Sequence, residues 1–228
     1  MIRAVVTDIE GTTTPVAFVT ETLFPYARQA LPGFVRAHAG EPAVAAELAA
    51  VRETVGDPAL GDEDAIGVLL GWIDEDRKAT PLKTLQGLIW AEGYAAGAFG
   101  RALYDDVPIA LAAWRAAGLR LFAYSSGSVA AQRLLFRHGG ESDLTPLFDG
   151  FFDTRLGGKL LEDSYRKLAE AVSLPPAEIL FLSDHAGELD AAAAVGIGTI
   201  QLDRSGSGGT GQHHPVHHSF ASIRVPGV

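Results

Sequence analysis

The chain has 228 residues, 47% of them hydrophobic and 20% charged, which allows a sizeable core and argues against wholesale disorder. Its 18 basic and 28 acidic residues leave a net charge of −10, which argues against a nucleic-acid groove or an anionic membrane surface as its partner. The absence of cysteine excludes disulfides, thiolate metal sites and cysteine nucleophiles.

The first predicted element is a buried strand over residues 2–7, a short β-branched apolar run that is stopped by Asp8 and Glu10. This run does not match a signal peptide, and no other segment approaches the roughly 20 apolar residues of a membrane helix. We therefore expect a soluble cytoplasmic protein whose first acidic side chains lie at the carboxyl end of a strand.

A helical block follows, from about residue 15 to residue 100. Apolar residues at helical spacing predict three helices, over 43–55, 64–76 and 81–98. Trp72 and Trp90 lie among these apolar positions, so we expect them in a core. Since no strand-like alternation interrupts the block, it is predicted to be an insertion after the first strand.

Strands and helices alternate in the rest of the chain. The predicted strands cover 119–124, 148–153, 178–182 and 199–202. The predicted helices cover 108–117, 129–138 and 162–173, and a last helix includes 190–195 and ends at Gly196. This order is typical of a parallel sheet with helices on both faces. We expect an α/β protein with a Rossmann-like core, residues 1–15 and 102–228, and an inserted all-helical cap, residues 16–101. The Ser/Gly-rich segment 205–211 is predicted to be a loop.

Polar side chains stand where three of the predicted strands stop. Asp8 and Glu10 follow the first strand, and the pairs Ser125-Ser126 and Ser183-Asp184 follow two later ones. In open parallel sheets, ligands bind outside the carboxyl ends of strands, near the point where the strand order reverses. The sequence therefore predicts one site built from chain-distant residues.

The residue types at this site suit phosphoryl transfer. Asp8 and Asp184 together could hold Mg²⁺, which prefers one or two carboxylates plus phosphate oxygens. The backbone N–H groups of 11–13 and the helix start at 125–127 could cradle a phosphate, and Lys159 would add a point charge. An Asp beside the metal can also act as a nucleophile.

The sequence from Asp8 to Thr13 resembles the first motif of the haloacid dehalogenase superfamily, Asp-x-Asp-x-Thr, with Glu in place of the second Asp. That replacement is characteristic of the enolase-phosphatase E1 family of methionine salvage. The resemblance covers nearly the whole chain, core and inserted block alike, and continues through 14–19, 23–26, 76–78, 82–87, 124–128, 134–136, 152–154, 164–167 and 179–184.

The resemblance implies one Mg²⁺ per subunit, bound by the side chains of Asp8 and Asp184 and by the backbone carbonyl of Glu10. It implies that Asp8 is the nucleophile and that Glu10 is the general acid and base. It also implies that Ser125, Ser126 and Lys159 hold the phosphate of the substrate.

The family's substrate is 2,3-diketo-5-methylthiopentyl-1-phosphate, a small phosphorylated diketone, which is enolised and then dephosphorylated to 1,2-dihydroxy-3-keto-5-methylthiopentene. Enolisation needs a base near the carbon between carbonyl and ester, and a cation for the enolate. Our hypothesis for the base is Glu10, because its extra methylene moves the carboxylate away from the phosphorus, with Mg²⁺ or Lys159 on the enolate. The family suggests a monomer, and neither nucleic acid nor membrane is expected as a partner.

Two alternatives stay open. The first is another Mg²⁺-dependent phosphatase of the superfamily, acting on a different small phosphomonoester. The second is a non-enzymatic, receiver-like module that is phosphorylated on Asp8, although the long cap and the position of Lys159 argue against it.

Several residues after Asp184 have competing interpretations. Glu188 could orient the metal or face water. His185 and the run 202–206 depart from the family's usual pattern. A mobile surface loop is favoured over a metal site for the four histidines of the tail, since Pro215 prevents one helix from presenting them together: His213, His214, His217 and His218.

Overall fold

A parallel sheet forms the frame of the computed structural model, which describes residues 1–206 and 213–225. The Ser/Gly-rich segment predicted as a loop therefore lies largely outside the described residues. Within them the sheet has six strands in the order β3-β2-β1-β4-β5-β6, all paired in parallel. The strands are β1 Ala4–Thr7, β2 Arg120–Tyr124, β3 Gly150–Phe152, β4 Ile179–Ser183, β5 Gly198–Leu202 and β6 Val216–His217.

Eight α-helices are described. They are α1 Phe24–His38, α2 Pro42–Val55, α3 Asp62–Asp74, α4 Thr80–Ala95, α5 Asp106–Ala116, α6 Val129–His138, α7 Glu162–Val172 and α8 Ala186–Ala194. A π-helical segment, Phe18–Leu23, leads into α1. None of the described helices is long and apolar enough to cross a membrane.

The central strands explain why the sequence folds this way. Every residue of β1 and β4 is buried, as expected for strands that are covered by helices on both faces of a parallel sheet. The predicted α/β fold is confirmed, with strand and helix bounds that shift by a few residues at most of the predicted elements. The bounds of α6 agree at both ends, because the Ser128 hydroxyl accepts a hydrogen bond from the Ala131 amide and caps the helix.

Strand β6 is a difference from the sequence prediction, which places a mobile loop in the tail. Val216 and His217 pair with Gln201 and Leu202 at the edge of the sheet. Two residues after a proline carry no periodicity that would predict a strand, so this pairing depends on tertiary contacts.

The described residues form two compact units, one of Met1–Val16 with Gly100–Val228 and the other of Ala17–Phe99. The first contains the whole sheet. The second contains only helices, with α1 packed on α3 and α4, and α2 packed on the same two helices. Trp72 and Trp90 are buried within this helical unit, as the apolar spacing predicts.

An aromatic cluster brings together residues near both chain ends of the helical unit. The Phe99 ring lies edge-on to Tyr26 and Tyr94, with ring centroids 4.7 and 4.6 Å away, and it also contacts Phe18. Gly93 leaves room for this packing, because a Cβ there would lie 2.7 Å from Phe99 and 2.8 Å from Tyr26.

Candidate active site

The predicted convergence of strand ends follows from the sheet order. β1 lies between β2 and β4, and Thr7 is in register with Ala123 on one side and Leu182 on the other. The chain after each strand therefore emerges at the same edge. Asp8 follows β1 directly, and its amide donates to the Leu182 carbonyl at 2.8 Å. Since later strands are added on both sides of β1, Asp8 lies at the topological switch point.

Asp8 and Lys159 meet across 151 residues of chain. The Lys159 ammonium lies 2.5 Å from Asp8 Oδ1 and 2.6 Å from Glu188 Oε2, and the side chains of Asp8 and Lys159 are buried. The backbone of Lys159 is also fixed, because the Tyr165 hydroxyl donates to the Lys159 carbonyl at 2.8 Å. One buried ammonium thus faces two carboxylates.

The electrostatics of this cluster are unbalanced. Burial raises the pKa of the Asp8 carboxyl to about 7, a rise that Lys159 opposes and the charge of Glu188 increases. Burial and then the charge of Glu188 raise the pKa of Asp184. Burial alone would lower the pKa of Lys159, but Asp8 and Glu188 outweigh it and raise that pKa. The cluster therefore holds three carboxylates, on Asp8, Asp184 and Glu188, and only one ammonium, on Lys159, so negative charge is in excess.

Asp184 lies so close to the loop after β1 that only a glycine fits at position 11 of that loop. Gly11 has φ +73°, and a Cβ on it would lie 2.0 Å from Asp184 Oδ2. The Asp184 amide donates to the Thr12 hydroxyl at 3.0 Å, and that hydroxyl donates to Asp8 Oδ2 over a long 3.3 Å. Thr12 therefore bridges the two loops that carry Asp8 and Asp184.

Glu10 differs from Asp8 in its surroundings. The turn after β1 is tight, since the amides of Thr12, Thr13 and Thr14 all donate to the Ile9 carbonyl. Asp8 is buried at the base of this turn, whereas the Glu10 side chain is exposed. The two carboxyls of this turn therefore lie in different environments, since that of Asp8 is desolvated and that of Glu10 is open to solvent.

The serine loop after β2 leads into α6. The Ser125 amide donates to the Phe152 carbonyl at 3.1 Å, and the Ser125 hydroxyl accepts from the Gly127 amide at 3.1 Å. Ser128 serves as the N-cap of α6, so capping does not use Ser125 or Ser126. Ser125 is buried and Ser126 is exposed, next to a helix N-terminus that suits an anion.

Glu188 and Arg204 belong to the site's surroundings, although sequence reasoning did not assign them. Glu188 contacts Lys159 and accepts from the Ser183 hydroxyl at 2.9 Å, so it does not merely face water. Arg204 lies in the run 202–206 that departs from the family's pattern, yet its Nε donates to the Thr12 carbonyl at 2.9 Å. An arginine two residues after β5, at the same sheet edge, is the signal that could have found it.

The histidine-rich tail is separate from this site, and the loop prediction is wrong for its second member. His214 is buried, with Nδ1 at 2.8 Å from Thr199 Oγ1 and Nε2 at 3.1 Å from Asp190 Oδ1. Both ring nitrogens of this imidazole therefore contact other elements and hold this part of the tail in place. In the described part of the chain, no three His, Cys, Asp or Glu side chains converge as a metal site.

The donor groups at the carboxyl ends of the strands nevertheless suit Mg²⁺. The predicted ligands include only two side chains, Asp8 and Asp184, with the Glu10 carbonyl as the third group. Mg²⁺ keeps several waters and needs few protein carboxylates. The excess of carboxylates over ammonium in this cluster is also what a divalent cation would offset.

Comparison with known sequences gives consistent results. Residues 2–196 match a family model described as haloacid dehalogenase-like hydrolase. The chain is 53% identical over 224 residues to enolase-phosphatase E1 of Methylococcus capsulatus, covering 98% of both chains. It is 54% identical to enolase-phosphatase E1 of Pseudomonas aeruginosa, covering 98% of this chain and 99% of the relative.

Solved structures resemble the fold over nearly its whole length. The UTR4 protein of Saccharomyces cerevisiae has a TM-score of 0.84 and 33% identity, covering 98% of this chain and 100% of the yeast chain. CbbY of Rhodobacter sphaeroides, crystallised with phosphate, has a TM-score of 0.60 at 18% identity, covering 97% and 96% of the two chains. At that identity the second likeness shows the fold alone.

Proposed function

This chain belongs to the haloacid dehalogenase-like hydrolase family and, within it, to the enolase-phosphatase E1 enzymes, and from this premise we propose how its residues carry out the reaction. The enzyme is a phosphatase of methionine salvage. It converts 2,3-diketo-5-methylthiopentyl-1-phosphate into 1,2-dihydroxy-3-keto-5-methylthiopentene and phosphate.

The observation that best supports these roles is the buried contact between Asp8 and Lys159 at the switch point of the sheet. Burying an ion pair rarely adds stability, so a buried carboxylate and ammonium are costly at this position. Their presence at the ligand-binding edge is explained if the ammonium receives a phosphate and the carboxylate reacts with it.

In the dephosphorylation step, an Asp8 carboxylate oxygen attacks phosphorus, and the bond between phosphorus and the ester oxygen breaks. Glu10 gives a proton to the departing oxygen, and it then takes a proton from the water that hydrolyses the aspartyl phosphate. Ser125, Ser126 and Lys159 hold the phosphate oxygens throughout. Asp8 is thereby regenerated and inorganic phosphate leaves.

Phosphatases of this family generally use Mg²⁺, and we assign its ligands here to Asp8, Asp184 and the Glu10 carbonyl. When bound, the ion supplies positive charge that lowers the repulsion between the phosphate and the site's carboxylates. In this chain the Asp184 backbone amide donates a hydrogen bond to the Thr12 hydroxyl, and the Asp184 carboxylate lies against Gly11.

Enolisation precedes dephosphorylation, and we assign its base to Glu10. The exposed Glu10 carboxylate takes the proton from the carbon between carbonyl and ester, while Lys159 offers its charge to the enolate oxygen. The helical unit is proposed to act as the cap that excludes water during these steps. We further propose that the enzyme works in the cytoplasm as a monomer.

Absorbance of the enol and release of phosphate, followed in one reaction, test this function. The purified enzyme with Mg²⁺ is expected to form the enol before phosphate appears. EDTA should stop the reaction, and excess Mg²⁺ should restore it. Phosphate release from the diketone without an enol signal would favour the alternative of a different phosphatase. Phosphorylation of Asp8 without turnover would favour the receiver-like module.

The base is tested by Glu10→Asp, which withdraws the carboxylate by one bond length but keeps the acid. Enolisation is expected to slow by about 10-fold or more, with Thr12 and Asp8 undisturbed. Wild-type rates for both the enol signal and phosphate release would show that Glu10 is not the base.

A further inference from the structure

Arg204 occupies a position that the reaction chemistry does not use. Its guanidinium is buried between the rings of Tyr104 and Phe220, 4.2 and 5.0 Å from their centroids. Nη1 lies 2.7 Å from Asp106 Oδ2, and the side chain as a whole is 9% exposed. A buried arginine that is fixed by an ion pair and two rings has little freedom to move.

The remaining contact of Arg204 points to the site. Its Nε donates to the Thr12 carbonyl at 2.9 Å. Thr12 is fully buried, and its hydroxyl accepts from the Asp184 amide and donates to the Asp8 carboxylate. Backbone carbonyl and side chain of Thr12 belong to one residue, so fixing the carbonyl also restricts where the hydroxyl lies.

We propose that Arg204 is a positioning residue, which acts through Thr12 to set the relative placement of the Asp8 and Asp184 carboxylates. The inference rests on the proposed function, in which these two carboxylates bind Mg²⁺. Groups that orient metal ligands without touching the metal commonly change metal affinity by about 10- to 100-fold. Arg204 is therefore expected to influence metal binding, although its hydrogen bonds go to the Thr12 carbonyl and to Asp106 and not to either carboxylate.

The test compares Arg204→Met with the matched control Asp106→Asn. The control removes the ion pair but leaves the bond from Arg204 to Thr12, and an amide oxygen can still accept from the Phe220 amide. A role confined to the ion pair with Asp106 would make the two variants alike, because both lose that pair. A positioning role affects only the first.

Two readouts are taken without substrate. In the metal-free protein, hydrogen exchange of the Asp184 amide is measured by NMR, with the Val6 amide in β1 as the reference for global opening. Arg204→Met should speed exchange at Asp184 relative to Val6 by about 10-fold or more, and Asp106→Asn should not. Mn²⁺ affinity, measured by electron paramagnetic resonance, should fall by about 10-fold in Arg204→Met alone.

A second variant identifies the route of the effect. Thr12→Val removes the hydroxyl, so adding Arg204→Met to it should change Mn²⁺ affinity by less than about twofold further. If Arg204→Met fails to fold, Arg204→Lys replaces it, because one ammonium cannot bond both Asp106 and the Thr12 carbonyl in the geometry of the guanidinium. This variant should likewise speed exchange at Asp184.

Three results would overturn the proposal: equal acceleration at Asp184 and Val6, an equal loss of Mn²⁺ affinity in Asp106→Asn, or additive effects with Thr12→Val. Since neither readout uses the diketone, a wrong substrate would leave both unchanged and would be seen only in the enol assay.

Discussion

The two units of this protein use charge in opposite ways. In the helical unit, Arg28 pairs with Asp74 and Arg36 with Glu63, each through two hydrogen bonds between exposed side chains. At the sheet edge, Lys159 is buried against Asp8 and is outnumbered by carboxylates. The first arrangement is neutral and solvated, and the second is desolvated and incomplete.

The two kinds of charge therefore differ in their effect on stability. The exposed pairs change it little, whereas the buried cluster lowers it. Exposed pairs gain little, because water already solvates both partners. A buried, unbalanced cluster lowers stability until a ligand compensates it, which is typical of a functional site. The comparison predicts that substitutions at the sheet edge change activity most, and that those in the helical unit change stability or nothing.

The largest effect is expected for Asp8→Asn, which removes the carboxylate that we propose attacks phosphorus. Phosphate release should fall by at least about 10³-fold. Because burial already makes the charged form of Asp8 costly, the metal-free variant should unfold at the same temperature as the wild type or higher. The exposed Asp74→Asn serves as the control and should keep full activity. A variant at Asp8 that retained a tenth of the activity would refute the nucleophile assignment.

A smaller loss is expected for Lys159→Met, which keeps a long unbranched side chain but removes the ammonium that Asp8 and Glu188 contact. We expect kcat/KM to fall by about 10²- to 10³-fold, because the charge that we propose holds the phosphate is lost. The control is Lys167→Met, where an exposed lysine pairs with Asp163 one helical turn away. Equal effects in the two variants would contradict the distinction between buried and exposed charge.

In the helical unit, Gly93→Ala tests packing rather than charge. The new methyl group would lie within 3 Å of Phe99 and Tyr26, so the free energy of unfolding should fall by about 1–3 kcal/mol. Gly87 lies in the same helix with open space at its Cβ position, so Gly87→Ala should be neutral or stabilising by up to about 1 kcal/mol. Chemical denaturation measures both, and an order opposite to this one would disprove the role of the aromatic cluster.

The smallest effect is expected for Arg36→Ala, which deletes the exposed pair with Glu63 between α1 and α3. The midpoint of thermal unfolding should stay within experimental error of the wild type, because solvent replaces the lost contact. A decrease as large as that of Gly93→Ala would mean that exposed pairs do stabilise this unit.

Much of the fold could be predicted from the sequence, because its signals are local. The buried runs of β1 and β4 and the capping serine of α6 are visible in a few adjacent residues. The π-helical turn at Phe18–Leu23 could not be predicted separately, since its composition is that of an ordinary helix. Strand β6 depends on His214 contacts from other elements, which no local pattern encodes.

The candidate site was predictable to a lesser degree. The positions of Asp8, Ser125 and Asp184 follow from where strands stop, and a parallel sheet brings such positions to one edge. The contact of Glu188 with Lys159 and the bond from Arg204 to Thr12 join residues far apart in the chain. The directions of these side chains depend on packing. The sequence therefore did not show whether Glu188 orients the metal or faces water, and the run around Arg204 was visible only as a departure from the family's usual pattern.

The short strand β6 also covers one side of β5. The Gln201 amide donates to the Pro215 carbonyl at 2.8 Å, and the Asp203 amide donates to the His217 carbonyl at 2.9 Å, so the tail occupies the free side of β5. Without it, β5 would present an open row of backbone donors and acceptors on which a strand of a second copy could pair. Removing the tail would therefore expose this side of β5, and aggregation that increases with protein concentration is the expected result.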